Sequence, residues 1–272
     1  MIDVLIDGRE GRHIDCSDRG LQYGDGLFET ISCEAGQPRW LELHLQRLRS
    51  GCERLRLPFQ DYAPLRTEIG ALSQGSERCL VKVVVTRGLA RRRGYAPSGD
   101  ERPTRIVSRH DWPPPVPSEA AGLRLGISPV TLGINPRLAG LKHLNRLEQV
   151  LAQQQRDAAR EDEVLMSSSA GQVIGGSMSN VFFCDHSGWF TPALNDCGVA
   201  GIMRRLVREA AARLGMALPE RAVALAELGG MRAAFVTNVR WGVQPVRQLA
   251  GRALPGDAQT QALREAIDAA HP

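Results

Sequence analysis

The chain has 272 residues, 43% hydrophobic and 24% charged, and its 34 basic and 30 acidic residues leave a formal charge of +4. That length buries a sizeable core in one large domain or two ordinary ones, and the composition excludes disorder and collagen-like repeats. The charge excess is too small for a nucleic-acid footprint and suits a small anionic ligand, while no apolar run reaches the about 18–20 residues of a membrane span.

The N-terminal stretch carries acids and Gly8 where a signal peptide would hold its apolar segment, so a cytoplasmic protein is expected. Cys16, Cys33, Cys52, Cys79, Cys184 and Cys197 form no CxxC pair and show no zinc-ligand spacing, which points to reduced thiols and no metal.

In chain order, Trp40 to Leu57 reads as a helix: Leu41, Leu45, Leu48, Cys52 and Leu55 make one apolar stripe, and Pro58 stops it. The β-branched runs Cys79 to Thr86 and Arg105 to Ser108 read as strands. Residues 111–117, Asp-Trp-Pro-Pro-Pro-Val-Pro, cannot be helix or central strand and read as a stiff connector. The expected organisation is an N-terminal α/β domain over 1–112, a linker over 113–121 and a C-terminal α/β domain over 122–272. In the latter, Leu123 to Ile127 alternates as a strand. Leu144 to Ala159 reads as a helix with Leu144, Leu147, Val150 and Leu151 inward. Glu163 to Met166, Val181 to Cys184 and Ala234 to Thr237 are further strands. Ile202, Leu206, Ala210 and Leu214 mark a helix entered at Gly201. Strands and helices lack strict alternation, which argues against a doubly wound sheet.

The common motifs are missing: there is no GxxxxGK[ST], HExxH or GxSxG, and Tyr23-Gly24-Asp25-Gly26 is too short for a dinucleotide fingerprint. One segment carries chemistry of its own. In Gly140-Leu-Lys-His-Leu-Asn-Arg-Leu-Glu-Gln-Val150, Lys142 lies between apolar neighbours just before the expected helix. Residue type and position leave two readings: a desolvated nucleophilic amine able to form a Schiff base, or a solvated lysine at a helix entrance.

This segment resembles the lysine motif of the class IV (fold-type IV) pyridoxal 5'-phosphate (PLP) dependent aminotransferase superfamily, and within it the aminodeoxychorismate lyases. Three more stretches agree in order: Asp18 to Thr30, Leu43-His-Leu-Gln-Arg-Leu48, and Thr237 to Val246. The resemblance, over residues 3 to about 250, implies a two-domain α/β fold of α+β character with PLP at the domain interface. It also implies a homodimer acting on a small anionic substrate, with neither nucleic acid nor membrane as partner.

Carried over residue by residue, Lys142 attaches PLP covalently and then serves as the proton-transfer base. Arg47 clamps the phosphate, against the alternative of an ordinary surface arginine. The Ile202 and Met203 amides receive the phosphate at a helix entrance, with Asn238 and the Val239 amide closing the pocket. Arg146 stands against the PLP ring hydroxyl. Thr30 delivers a proton beside the reacting bond, or is simply a strand residue. Arg87 and Arg93, with Tyr23, would hold the substrate carboxylates, whereas Arg91 and Arg92 read as a solvated basic loop. The implied reaction converts 4-amino-4-deoxychorismate to 4-aminobenzoate and pyruvate in folate biosynthesis. The alternatives are a class IV aminotransferase of D- or branched-chain amino acids and a catalytically degenerate PLP-binding member. One departure bears on these: Gly175 stands where the superfamily holds a glutamate for the pyridine nitrogen.

Overall fold

The computed structural model describes residues 3–90, 92–114, 121–255 and 258–270. Most of the expected linker, at 115–120, and Arg91 of the basic loop lie outside the described residues. The chain divides into two compact units, Met1–Pro114 with Lys142–Asn145, and Pro115–Leu141 with Arg146–Pro272. Residues 142–145, expected within a continuous 122–272 domain, thus group with the first unit.

In the first unit, β1 (Val4–Ile6), β2 (Arg9–Glu10), β3 (Gly26–Glu34), β4 (Gln37–Pro38), β5 (Arg78–Thr86) and β6 (Arg105–Asp111) form an antiparallel sheet in the order β2-β1-β6-β5-β3-β4. Alternation along the strands turns Leu27, Ile31, Val81, Val83, Val85 and Val107 to one buried face. Helices α2 (Leu41–Leu55) and α3 (Tyr62–Ser73) cover that face with Leu45, Leu48, Cys52, Leu65, Ile69 and Leu72. Each such side chain, fully buried, contributes about 1.5–3 kcal/mol. A short helix, α1 (Arg19–Tyr23), precedes β3 and is capped by the Asp18 carboxylate on the Gly20 N–H. The expected helix 40–57 is thus shorter at both ends, because Trp40 and Arg56 are left-handed.

The second unit carries β7 (Leu123–Ile127), β8 (Glu163–Ser167), β9 (Val173–Gly176), β10 (Asn180–Asp185), β11 (Gly188–Pro192), β12 (Glu220–Arg221), β13 (Ala233–Asn238), β14 (Gly242–Leu249) and β15 (Arg252–Ala253). They make a mixed sheet in the order β12-β11-β10-β13-β14-β7-β8-β9, with β15 on β14. Val181, Phe183, Val236 and Val246 belong to the core on one face. The other carries stacked Phe182 and Phe235 with Trp189, and α5 (Ile202–Arg213) and α6 (Ala258–Ala270) pack there.

Helix α4 (Leu147–Ala159) differs from expectation in start and orientation. Leu144 is outside it, and Leu147, Val150 and Leu151 are exposed, Leu147 at 79%. The buried contact is Ala152 on Val164 and Met166 of β8. Beside this small apolar contact, polar residues of the helix bond to the surface beneath: Gln153 donates to Ser177 and Glu148 accepts from the Gly133 N–H. Leu214, expected on the α5 stripe, is also exposed, since α5 ends one residue earlier.

Gly88 follows β5 at φ +90°, where an added Cβ would lie 1.8 Å from the Arg102 carbonyl oxygen. Gly88→Ala is expected to cost about 3 kcal/mol or more in denaturant unfolding, since strain and a backbone clash combine. Gly94→Ala, at φ +108° in open space, should cost only about 1 kcal/mol.

Candidate active site

The seat of Lys142 is made by backbone pairing. β4 covers β3 only at Cys33 and Glu34, and the other half of that edge takes the segment 142–144. Phe28 donates its N–H to the Lys142 carbonyl at 2.9 Å and Leu144 donates to that of Gly26 at 3.1 Å. A Cβ at Gly26 would sit 2.5 Å from the Val85 oxygen and 2.8 Å from Leu144, so the seat needs glycine there. Lys142 lies opposite Phe28, with its Nζ 4.2 Å from the ring centroid. Lys82, paired across β3–β5 with Thr30, lies 5.6 Å from the same ring. Thr30, two residues from Phe28, shares this face about 7 Å along the strand. The structure therefore brings Lys142 and Thr30 to one sheet face.

Arg47 lies on the opposite face. Its Nε donates to Glu29 Oε1 at 2.7 Å and its Nη2 to Glu29 Oε2, and His44 Nδ1 meets that same carboxylate at 2.7 Å. The two-bond edge expected to clamp a phosphate is thus occupied by a carboxylate, because Glu29 points inward among Leu27 and Ile31 and requires a cation. Burial alone would push the Glu29 carboxyl up, but the Arg47 charge and the hydrogen bonds of His44 and Arg47 hold it down at about 2. Burial in turn holds the His44 ring below its ordinary 6.5 against the pull of Glu29, so the ring is neutral near pH 7 and donates through Nδ1. Glu29 and His44 went unread in the sequence. Their signal was a charged residue on the inward register of an apolar strand and a histidine beside the stripe of α2.

The substrate arginines part company. Arg87 donates through Nε to Asp25 at 2.8 Å, through Nη1 to the Arg56 carbonyl at 2.8 Å and through Nη2 to the Leu55 carbonyl at 2.9 Å. It caps the C-terminus of α2, whose last carbonyls lack helical partners, and the donors expected for a substrate carboxylate are engaged there. Arg93 and Arg92 are exposed, with no ion pair or hydrogen bond among the described residues. Their loop is fastened by Arg19, which the sequence reading passed over. Buried Arg19 donates to Asp25 at 2.9 Å, to the Gly94 carbonyl at 3.3 Å and to that of Tyr95 at 2.6 Å. Tyr23 stacks edge-on against Tyr95, with ring centroids 5.4 Å apart and Arg19 5.0 Å from the Tyr23 ring. Tyr95 is nevertheless 83% exposed, an aromatic presented on a pinned backbone.

In the second unit, α5 begins at Gly201 with Ile202 and Met203 both buried, and neither N–H has an acceptor among the described residues. A buried helix start with unanswered donors suits an anion. Asn238 does not turn its side chain to that end: Oδ1 accepts from the Arg240 and Trp241 N–H groups at 3.0 and 2.8 Å, and Nδ2 reaches the Met178 carbonyl. It shapes the β13–β14 turn. Val239 is half-buried, and its amide has no acceptor among the described residues. Arg146 donates to the Leu141 carbonyl at 3.0 Å, and burial pushes its guanidinium down to about 10 against the opposing charge of Glu148.

At Gly175 a Cβ would lie 2.9 Å from the Ser179 carbonyl oxygen, so no side chain enters without moving backbone. The acid of this hairpin is Glu163, which accepts from the Val164, Ser177 and Met178 N–H groups and from the Ser177 and Ser179 hydroxyls. β8–β9 pairing brings it under the turn although it precedes Gly175 by twelve residues.

Residues 26–249 match the family model described as amino-transferase class IV, and the chain belongs to that family. Its mixed α/β architecture is the fold-type IV one that the motifs implied. Among solved structures, the 4-amino-4-deoxychorismate lyase from Pseudomonas aeruginosa is 40% identical and superposes with a TM-score of 0.91 over 98% of each chain. The aminodeoxychorismate lyase of Vibrio harveyi is 33% identical over 242 residues, 89% of each chain. A hypothetical aminotransferase from Mycobacterium tuberculosis, solved in a PLP-bound form, shares the fold at 21% identity and a TM-score of 0.84, over 99% of this chain and 98% of that one.

Two outcomes follow from this geometry. Arg19→Lys keeps a charge for Asp25 but cannot fork onto two carbonyls, so limited trypsinolysis should cleave after Arg92 and Arg93 about tenfold faster. For His44, the unfolded chain takes up a proton below 6.5 while the folded one resists it, so stability present above 6.5 is lost as pH falls through that value. His44→Asn should flatten the dependence of Tm on pH between about 7 and 5. The Glu29 contribution, lost only between 4.5 and about 2 and owed first to Arg47, should lie outside that window.

Proposed function

We propose that this chain is an aminodeoxychorismate lyase, converting 4-amino-4-deoxychorismate to 4-aminobenzoate and pyruvate in folate biosynthesis, with PLP as cofactor. The observation that carries the reading is the seat of Lys142, an amine fixed on the edge of β3 against Phe28 within the motif Lys142 to Gln149. The two lyase relatives, alike over most of their length, support the same choice.

Each unit holds groups of the kind PLP needs: the first an amine at Lys142, the second buried amides at Ile202 and Met203 with no acceptor among the described residues and a desolvated cation at Arg146 for the ring hydroxyl. PLP would supply an aldehyde for the lysine and an electron-withdrawing ring. Arg47, oriented by Glu29, serves the phosphate end through the part of its guanidinium away from that carboxylate. Lys142 takes the proton from the amine-bearing carbon of the substrate, the neighbouring carbon–oxygen bond breaks, and Thr30 hands a proton to the departing enolpyruvyl group. The products then account for every atom of the substrate. Arg93 and Tyr23, on or against the loop fastened by Arg19, orient the carboxylates. An aminotransferase would ask for an acid at 175, where the Ser179 carbonyl leaves no room for one.

The proposal includes a homodimer and a cytoplasmic setting. Leu147, Val150 and Leu151 form an exposed apolar patch at helical spacing on α4, the kind of surface a second copy would cover. All six cysteines are free thiols, and burial raises those of Cys33, Cys52 and Cys197 well above the ordinary range.

Wild-type protein given PLP and aminodeoxychorismate should release fluorescent 4-aminobenzoate. Lys142→Ala should lose both borohydride labelling of the 142 peptide and product formation, by more than a thousandfold. Product without labelling at 142 would defeat the assignment.

A further inference from the structure

Among the described residues of the second unit, several buried side-chain polar atoms have no hydrogen-bond partner, and one of them is a hydroxyl beside a helix start. The hydroxyl of Thr237 is buried, the residue being 1% exposed, and it has no hydrogen-bond partner among the described residues. Unanswered buried hydroxyls are uncommon because water has been surrendered with nothing in exchange. Strand register shows where this one lies. Thr237 of β13 pairs with Asn180 of β10, so their side chains share the face on which α5 packs. Asn180 Oδ1 accepts from the Gly201 N–H at 3.1 Å, and its Nδ2 donates to the Val199 carbonyl at 2.9 Å. A Cβ on Gly201 would fall 2.2 Å from Asn180 Oδ1, so the helix start is drawn against this very pair.

Two unanswered features thus meet at one place: the first N–H groups of α5, at Ile202 and Met203, and the hydroxyl of Thr237. All are donors, all are buried, and the helix end is electropositive. Two residues further on, Val239 supplies no hydroxyl, and Asn238 is committed to its turn. We propose that the Thr237 hydroxyl is a phosphate ligand, completing with the Ile202 and Met203 amides the cradle for the phosphate of PLP. This rests on the PLP reading above but not on the lyase chemistry.

The test uses Thr237→Val, which keeps shape and strand preference while removing the hydroxyl, and Thr237→Ser, which keeps the hydroxyl. Each apo-protein is titrated with PLP and with pyridoxal, which lacks the phosphate, and its thermal unfolding is recorded without ligand. The expected result is a Kd for PLP about tenfold or more weaker in Thr237→Val, near wild type in Thr237→Ser, with pyridoxal binding unchanged in both. Apo Thr237→Val should unfold at the same temperature as wild type or higher, because an orphan hydroxyl has been removed. Unchanged PLP affinity in Thr237→Val overturns the proposal. So does equal weakening of PLP and pyridoxal, or a lowered apo Tm accompanying the affinity loss, either of which marks a packing role. A wild type that binds no PLP at all removes the functional reading, and this inference with it.

Discussion

Two backbone hydrogen bonds, Phe28 N–H to the Lys142 carbonyl and Leu144 N–H to that of Gly26, decide where the Lys142 amine can be. An edge strand exposes a row of unpaired donors and acceptors, and β4 is too short to answer those of Gly26–Phe28. The segment 142–144 answers them, so the chain must leave helical geometry there, and α4 begins at Leu147 rather than Leu144. The same pairing explains why four residues more than a hundred positions downstream group with the first unit. It also makes the lysine position rigid at its backbone, leaving only a flexible four-carbon stem to move the amine.

Around this seat the protein answers most of its own charges. Arg87 and Arg19 meet on Asp25 and direct their remaining donors to backbone carbonyls, and Arg47 closes on Glu29. Arg87, engaged through Nε and both Nη groups, would strand a carboxylate and a helix end if it turned to another anion. The consequence is a division of labour among arginines that look alike in sequence. Buried ones shape loops and helix ends, and Arg93 stays exposed. The backbone of its loop depends on Arg19, because a Tyr95 side chain that is largely in water has little packing to hold it.

Much of this was legible in the amino-acid order, and the limits have physical causes. The β-branched run 79–86 and the stripe of Ile202, Leu206 and Ala210 correspond to β5 and α5, because one periodic face there meets an apolar partner. The stripe of Leu147, Val150 and Leu151 is equally regular yet faces outward. Periodicity identifies a helix and its apolar side, but not whether the surface beneath is apolar, and here that surface includes Ser177. The role of Arg87 was hidden for a related reason: its partners at Leu55 and Arg56 are carbonyls, which every residue carries. Two- and three-residue strands such as β1, β12 and β15 offer too few positions for any pattern. Lys142 stood out only through the motif around it, since residue type and position left two readings; Glu29 and Glu163, defined by their partners, needed the register.

The hairpin of β8 and β9 shows how one buried acid excludes another. Glu163 gathers three amides and two hydroxyls from its own residue's successor and from the turn 177–179, which fixes that turn tightly over the carboxylate. With the turn so drawn in, the Ser179 carbonyl stands 2.9 Å from where a side chain at 175 would begin. A glutamate at 175 would therefore have to displace backbone that Glu163 holds. Gly175 is in this sense a consequence of the turn's geometry rather than a simple loss. A site without that acid withdraws electrons less strongly through the pyridine nitrogen, which disfavours repeated transfer of an amino group more than a single elimination that ends in an aromatic ring. The steric argument at one glycine and the chemical preference for lyase over aminotransferase thus point the same way.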